Sequence, residues 1–551
     1  MSSYKPHQKS FQKLFIIYLI LLSLSLTFLA LSFNTKPLIT NPSSSLLDST
    51  HDWFHYILSK KINTKKIKIG LVNVNNDITT RIYDAHELVE AVSVNFDHIS
   101  NNNIRWEDFF PEWIDEDQKW GAPRCPEIPL PRLEDYGGLD VVVARVPCGG
   151  NNNGGGSEGI RDVFRLQVNL VVANLVVANG WVKPDINRTV YVVFMGSCGP
   201  MQEIFRCDDL LSHVGDYWVY KPDLKKLKQK LLMPVGSCQI APAYAQTGDE
   251  IWRPRVNPNL KRKIAYATVL HSSEAYVCGA IALAQSIIQT NSTKALILLH
   301  DSSITPKSLR GLRAAGWKTK LIEPIRSPSA KKGSYNEWNY SKLRVWQLTK
   351  YDKIIFIDAD IVVLKNIDEF FTYPQLSASG NDKSLFNSGI MVIEPSECMF
   401  QDLMSKTRIL ASYNGGDQGF LNEAFTWWHR LPKKLNYLKV YRNRINDNHR
   451  EIPNHVYAVH LLGLKPWVCY KDYDCNWDKE DHQIFASDSA HKRWWHVYEA
   501  MPKKLQKFCG LTKQMDSRIR KWRGIAQKLG LADEHWKLNA KDPRQYHFVD
   551  M

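Results

Sequence analysis

The run Lys353-Ile354-Ile355-Phe356-Ile357-Asp358-Ala359-Asp360-Ile361-Val362-Val363-Leu364 constrains this chain more than any other stretch. Successive β-branched and aromatic residues without polar alternation predict a strand buried on both faces, at the centre of a mainly parallel sheet covered by helices. Such sheets bind ligands outside the carboxyl ends of their strands. Asp358 and Asp360 arrive there together, with no Lys or Arg between them. Two like charges this close favour a divalent cation as partner, and an oxygen-only pair completed by water suits Mn²⁺ or Mg²⁺ better than zinc. The bland alternative is a solvated Asp-x-Asp turn closing a strand.

At 551 residues the chain exceeds one ordinary hydrophobic core, so two folded units with appendages are expected. Residues 14–33 carry no charge and are rich in Leu, Ile and Phe, about the length of a membrane-spanning helix. Lys5, Lys9 and Lys13 precede them, which puts residues 1–13 in the cytosol as a short tail, makes 14–33 an uncleaved signal anchor and places the body in the lumen. Residues 34–65, without helical or strand period, read as a stem.

Strand-like runs at 67–74, 139–146 and 190–195, with a buried helix over Phe164 to Asn179, predict a first α/β unit at 66–255. The Asn- and Gly-rich tract 149–159 reads as a loop, and the basic run Lys221 to Lys230 as a solvated helix face. A boundary at about 247–259 precedes a β-α-β-α-β order, the nucleotide-binding half of a doubly wound sheet, in a second unit at 263–480. Ser341 to Thr349 is expected to be a helix leading into the central strand, carrying Lys342 and Arg344 toward the acidic pair. An Arg there offers a bidentate fork to a uronate or a diphosphate. Residues 481–551 form a basic, aromatic extension of no assigned chemistry.

The net charge of +15 favours acidic partners such as sugar nucleotides, uronic acids or anionic lipid. No nucleic-acid motif of recognisable spacing accompanies it, so no nucleic-acid partner is expected. Ten cysteines, none in a Cys-x-x-Cys pair, are compatible with disulfides in a secretory lumen, their pairing left open. Asn187, Asn291 and Asn339 begin glycosylation sequons, and Asn339 is expected to stay unmodified because Lys342 is so near.

Three patches follow the acidic pair. Asn387-Ser388-Gly389 offers an amide and a hydroxyl for a sugar at the sheet edge. Asn414-Gly415-Gly416-Asp417-Gln418-Gly419 combines glycines that admit close backbone approach with a carboxylate and an amide. His460-Leu461-Leu462-Gly463-Leu464-Lys465-Pro466-Trp467 supplies an imidazole for a metal and a lysine for a diphosphate.

In this order these patches resemble the glycogenin-type family of retaining glycosyltransferases over about 263–480. The resemblance implies a GT-A fold, a nucleotide-diphosphate sugar donor and Mn²⁺ held by Asp358, Asp360 and His460. It implies donor or diphosphate contacts at Lys342 and Lys465, base stacking on Tyr276, and Asp417 with Gln418 beside the anomeric carbon, so that Lys342, Asp417 and Gln418 become the catalytic set. Ala359, the Asn387 to Gly389 and Asn414 to Gly416 patches, Leu461, Leu462, Gly463 and Leu464 complete the implied substrate contacts. One departure is that a single residue, Leu464, separates Gly463 from Lys465 where the family has two.

The upstream unit, through Tyr191 to Pro200 and Gly215 to Tyr220, together with Lys342 to Leu348 downstream, is similar to the plant enzymes that put glucuronic acid on xylan. That resemblance implies transfer of α-glucuronic acid from UDP-glucuronate to O2 of xylan xylose by a single-pass type II protein of the Golgi membrane. A self-glucosylating starch or glycogen primer and a catalytically silent subunit of a xylan synthase complex are the alternatives. Homo- or hetero-oligomerisation is left open.

Overall fold

In the computed structural model the described residues are 57 and 66–546, less 75–88, 100–103, 113, 117–124, 149–160, 184–185, 243–262, 382–383, 442–449 and 532. The expected anchor, the 149–159 loop and the 247–259 boundary lie outside them, as does the stem apart from Ile57. The chain divides into Met1–Ile62 and Asn63–Met551, and both main sheets belong to the second of these units.

The first sheet contains β1 (Ile67–Val72), β2 (Val89–Val94), β3 (Val141–Arg145), β4 (Tyr191–Met195), β5 (Leu210–Val214) and β6 (Tyr217–Tyr220), in the order β2-β1-β3-β4-β6-β5. The β1, β2, β3 and β4 pairings are parallel, and β6 is antiparallel to both neighbours. Helix α1 (Val163–Gly180) starts where the Asp162 carboxylate accepts from the Arg165 backbone N–H at 2.6 Å. Among the described residues α1 alone is long and apolar enough to cross a membrane, but it is buried in this core. Helix α2 (Leu224–Leu231) holds the basic run. There the expected solvated face is corrected at Lys230, which is buried, donates to His429 Nε2 at 2.8 Å and lies over the Trp427 ring.

The second sheet contains β7 (Ile264–Leu270), β8 (Ala295–His300), β9 (Lys318–Leu321), β10 (Lys353–Ile357), β11 (Ser377–Gly380), β12 (Phe386–Ile393) and β13 (His429–Leu431), ordered β9-β8-β7-β10-β12-β11-β13. Strands β7 to β10 run parallel, with α3 (Val277–Gln289) and α4 (Pro306–Ala314) between successive strands; β12 is antiparallel to β10 and β11. The sheet is therefore mixed, with the doubly wound half on one side of β10.

The strand of the 353–364 run ends at Ile357, and Asp358 N–H adds one more rung to β12 by donating to Gly389 O at 2.9 Å before the chain turns. Ile361–Val363 then pairs with Ala458–His460 in a small separate sheet. Two local expectations are corrected. Asn339–Gln347 forms 3₁₀ turns instead of an α-helix, with Tyr340, Ser341, Lys342, Leu343, Val345 and Trp346 all buried. Burial on every side removes the single apolar stripe that an amphipathic helix needs. Asn387-Ser388-Gly389 lies within β12, an interior strand, and not at the sheet edge.

The two sheets share a continuous apolar core that includes Val192, Phe194, Phe356, Met391 and Trp427. Polar links cross between them. Arg206 pairs with Glu394, which also faces Lys353 at 3.6 Å and Lys226 at 3.7 Å. Burial pushes the Glu394 carboxyl up, but Arg206, Lys353 and Lys226 outweigh it and hold it at about 2. The depressed value contributes stability that is present above the ordinary 4.5 and is lost as pH falls toward 2. The contribution is on the order of 3 kcal/mol. Urea unfolding between pH 2 and 6 should show this slope in the wild type and a flatter one in Glu394→Gln; parallel curves would exclude the assignment.

All ten cysteines pair, as 125–238, 148–198, 207–398, 278–509 and 469–475. Cys207–Cys398 ties the first sheet to α5 (Glu397–Lys406) across 191 residues. Replacing both by serine should cost about 2–4 kcal/mol in denaturant unfolding, since the unfolded chain regains a long open loop. An unchanged midpoint would show that the noncovalent contacts alone hold the sheets together.

Candidate active site

The turn after β10 presents the acidic pair. Leu461 N–H donates to Asp360 O at 3.0 Å, so the strand ending in His460 is stitched beside it. Helix α3 abuts the pair closely, and a Cβ on Gly279 would lie 2.4 Å from Ala359 O and 2.6 Å from the Trp467 ring. Gly389 is similarly required, for a Cβ there would meet His460 Cε1 at 2.6 Å.

Asp358, Asp360 and His460 each offer a ligand atom, all within 4.8 Å of one another. Two carboxylates and an imidazole, aimed at one point, fit a divalent cation. A second such group, Cys207, Asp208 and Cys398, is closed by its disulfide. Asp360 is 6% exposed, with Lys465 Nζ 2.7 Å and His460 Nε2 3.4 Å away. Burial raises its pKa, but Lys465 and His460 outweigh that and hold it far below the carboxylate range. Asp358 behaves oppositely: withdrawal from water, with Asp360 and Asp417 adding, pushes it up to about 6 against the pull of Lys342.

Lys342 is the hub. Its Nζ lies 2.5 Å from Asp417, 3.1 Å from Asp358, and 3.3 Å from both the carbonyl and hydroxyl of Ser388. Burial lowers its pKa, and Asp358 and Asp417 more than reverse this, so the ammonium stays charged. Asp417 and Gln418 open α6 (Asp417–Ala424). Ser388 Oγ donates to Asp417 at 2.7 Å, and the Ser388 backbone N–H donates to Gln418 Oε1 at 3.2 Å.

A cavity of about 930 Å³ gathers Tyr276, Lys342, Asp358, Ala359, Asp360, Asn387, Ser388, Asn414, Asp417, Gln418, His460, Leu462, Gly463 and Lys465. Gly389, Gly415, Gly416, Leu461 and Leu464 are not among the residues that line it. Arg344 is a correction. Its guanidinium donates to Glu323 O and Gln347 and lies over the Phe400 ring, away from the cavity. With about three residues per turn, Lys342 and Arg344, two apart, leave the 3₁₀ segment on different faces, and only the first faces the cavity.

Sequence reasoning missed His271, Tyr335, Asn336, Asn339 and Asn381, which also line the cavity. The signal available was Gly333 to Asn339, an aperiodic stretch dense in amide and aromatic side chains before the central strand. Tyr335 is 73% exposed at the mouth, its hydroxyl 3.3 Å from that of Tyr276. The Asn339 amide donates to Asn336 at 3.0 Å within the wall.

Residues 267–469 match the family described as glycosyl transferase family 8, and 44–238 match the GUX1-5 N-terminal domain. In Arabidopsis thaliana, UDP-glucuronate:xylan alpha-glucuronosyltransferase 2 is 49% identical over 93% of this chain and 86% of its own. The protein numbered 4 in that series is 54% identical over 98% of both chains. The chain belongs to glycosyl transferase family 8. Mouse glycogenin-1, in Mus musculus, is a more distant relative, 27% identical over 45% of this chain and 79% of its own. Among solved structures, galactosyltransferase LgtC in complex with donor and acceptor sugar analogs aligns over 44% of this chain and all but 1% of its own, at 15% identity and TM-score 0.32. The family 8 match spans the acidic pair, all three downstream patches and nearly the whole β7 to β13 sheet.

Proposed function

We propose that this chain moves α-glucuronic acid from UDP-glucuronate to O2 of xylose residues in xylan, with retention and with Mn²⁺, in the Golgi lumen. The identity to relatives named for that reaction, running through both matched domains, carries the reading. Five disulfides support an oxidising lumen.

Asp358, Asp360 and His460 would hold the metal, which when bound offsets negative charge on the donor diphosphate. Lys465 shares that work as a point charge, and Tyr276 offers its ring to the base. Lys342 and Ser388 both hold Oδ2 of the Asp417 carboxylate, which is 5% exposed and carries its charge against the buried ammonium. An engaged carboxylate and the amide of Gln418 are poor nucleophiles, which favours front-face transfer over a covalent intermediate. In that route the bond from the anomeric carbon to the UDP oxygen breaks, the bond to the acceptor O2 forms on the same face, and the acceptor proton passes to the departing phosphate oxygen.

The test is an assay of the detergent-solubilised chain with UDP-glucuronate, UDP-glucose and UDP-xylose against xylo-oligosaccharides, with and without Mn²⁺. Preferred transfer of glucuronate to xylose O2 is expected. A mass increase of the protein itself, without acceptor, would point instead to a self-priming enzyme. In the same assay Arg344→Ala should change kcat/KM for all three donors by the same factor, about threefold at most, since it lies outside the cavity. A selective loss with UDP-glucuronate would restore Arg344 as the uronate reader.

A further inference from the structure

A second cavity, of about 470 Å³, lies between the first sheet and helices α5 and α6. Cys148 and Cys198, just past the carboxyl ends of β3 and β4, form part of its wall. That end of a parallel sheet is where α/β folds receive ligands.

Arg165, Gln202, Trp218, Lys406, Leu410 and Phe425 line it. Arg165 is 7% exposed; one guanidinium nitrogen donates to Pro147 O at 3.3 Å, while Nε is buried with no partner among the described residues. Gln202 donates its amide to Asp402 at 2.9 Å, and its Oε1 is likewise buried and unpartnered among them. Buried polar atoms are rarely left so, and such exceptions belong to ligands or ordered water. One residue of the lining thus has a donor to spare and another an acceptor, the two capacities that a hydroxyl group combines.

Charge narrows the class further. The carboxylates of Glu203, Asp402 and Glu423 are balanced by Arg165, Lys406 and Arg161, the last 2.9 Å from Glu423. Among the described residues no surplus cation is left there to hold a phosphate or a uronate. Trp218, its indole N–H donated to Gly196 O and its ring stacked on His213 at 3.4 Å, supplies a rigid apolar wall. Aromatic surface with neutral hydrogen-bonding groups suits an uncharged sugar.

The two cavities share α6. Asp417 and Gln418 at its start face the reaction cavity, and Glu423 and Ala424 at its end face the second. Eight residues of helix span about 12 Å. The segment between α5 and α6 runs from Leu410, in the wall of the second cavity, to Tyr413, whose hydroxyl accepts from Gln418 Nε2 at 2.7 Å, and it exposes Ile409 at 70% and Tyr413 at 55%.

We propose that the second cavity is a carbohydrate subsite holding an uncharged stretch of the pentose-chain acceptor while another unit of the same chain reacts beside Gln418. This rests on xylan being the acceptor. The subsite separates long acceptors from short ones.

The test compares wild type, Leu410→Trp, which fills the cavity, and Trp218→Ala, which removes its wall. The acceptors are xylotriose and xylododecaose. KM for xylododecaose should rise about fivefold or more in both variants, while xylotriose kinetics stay at wild-type values. Equal effects on the two acceptors, or none, would overturn the subsite. Calorimetric titration of xylododecaose without donor separates the two readings. If the wild type transfers nothing to xylan yet binds the chain, and Leu410→Trp abolishes binding, the acceptor reaction is wrong and the subsite stands. A crystal structure grown with xylododecaose that shows water alone at Arg165 Nε and Gln202 Oε1 would refute it.

Discussion

Asp360→Asn lowers kcat/KM by about 10³-fold or more and removes the metal dependence of UDP binding, while the protein stays folded. The substitution preserves volume at a side chain 8% exposed, so packing is retained. What it removes is the charge that Lys465 at 2.7 Å and His460 at 3.4 Å are arranged around. An amide oxygen is a weak ligand for a hard cation, and Lys465, still held by Leu461 O at 2.7 Å, loses its counter-charge. Calorimetry of UDP with and without Mn²⁺, beside circular dichroism, reads both halves of the expectation. Metal-dependent UDP binding of wild-type strength in this variant would remove Asp360 from the metal site.

Lys342→Met acts on stability and on transfer together. The ammonium is the shared counter-charge of Asp358 and Asp417, at 3.1 and 2.5 Å, and sits 4.8 Å from the Phe356 ring centroid. Methionine fills the space and leaves two carboxylates facing each other without a cation. Breaking a buried pair in this way costs about 3–5 kcal/mol. Asp358 already stands at about 6, and loss of Lys342 raises it further. The variant is therefore most destabilised above pH 6 and recovers as pH falls and Asp358 takes up its proton. Lys342→Arg, which keeps the charge, should recover much of the stability and little of the transfer. A Lys342→Met protein with wild-type melting across pH 5 to 8 would contradict this account.

Much of the site was legible because its chemistry is carried by short local patterns. The acidic pair at a strand end, the Asp417-Gln418 step and the His460 to Lys465 tail each combine residue type with spacing. The direction of a side chain was not legible. Lys342 and Arg344 stand two residues apart in one sequence window, yet only the 3₁₀ winding decides which one enters the cavity. Lys230 failed for a related reason. The lysines crowded between Lys221 and Lys230 look like a solvated face, and the partner that buries the last of them, His429, is almost two hundred residues away. Core strands were easier, since β3 and β4 are apolar at nearly every position and have no second reading.

The pattern of covalent links bears on how the protein is made. Cys207 must wait for Cys398, and Cys278, in the first turn of the helix against the acidic pair, must wait for Cys509. These partners leave the ribosome 191 and 231 residues later. At a synthesis rate of about 5–20 residues per second, that leaves unpaired thiols exposed for roughly ten seconds or longer. The link that braces the helix against the acidic pair thus cannot close until residue 509 has been made. A message truncated before codon 509 would yield a protein with every proposed catalytic side chain present and Cys278 unpaired, so that one free thiol would mark it chemically.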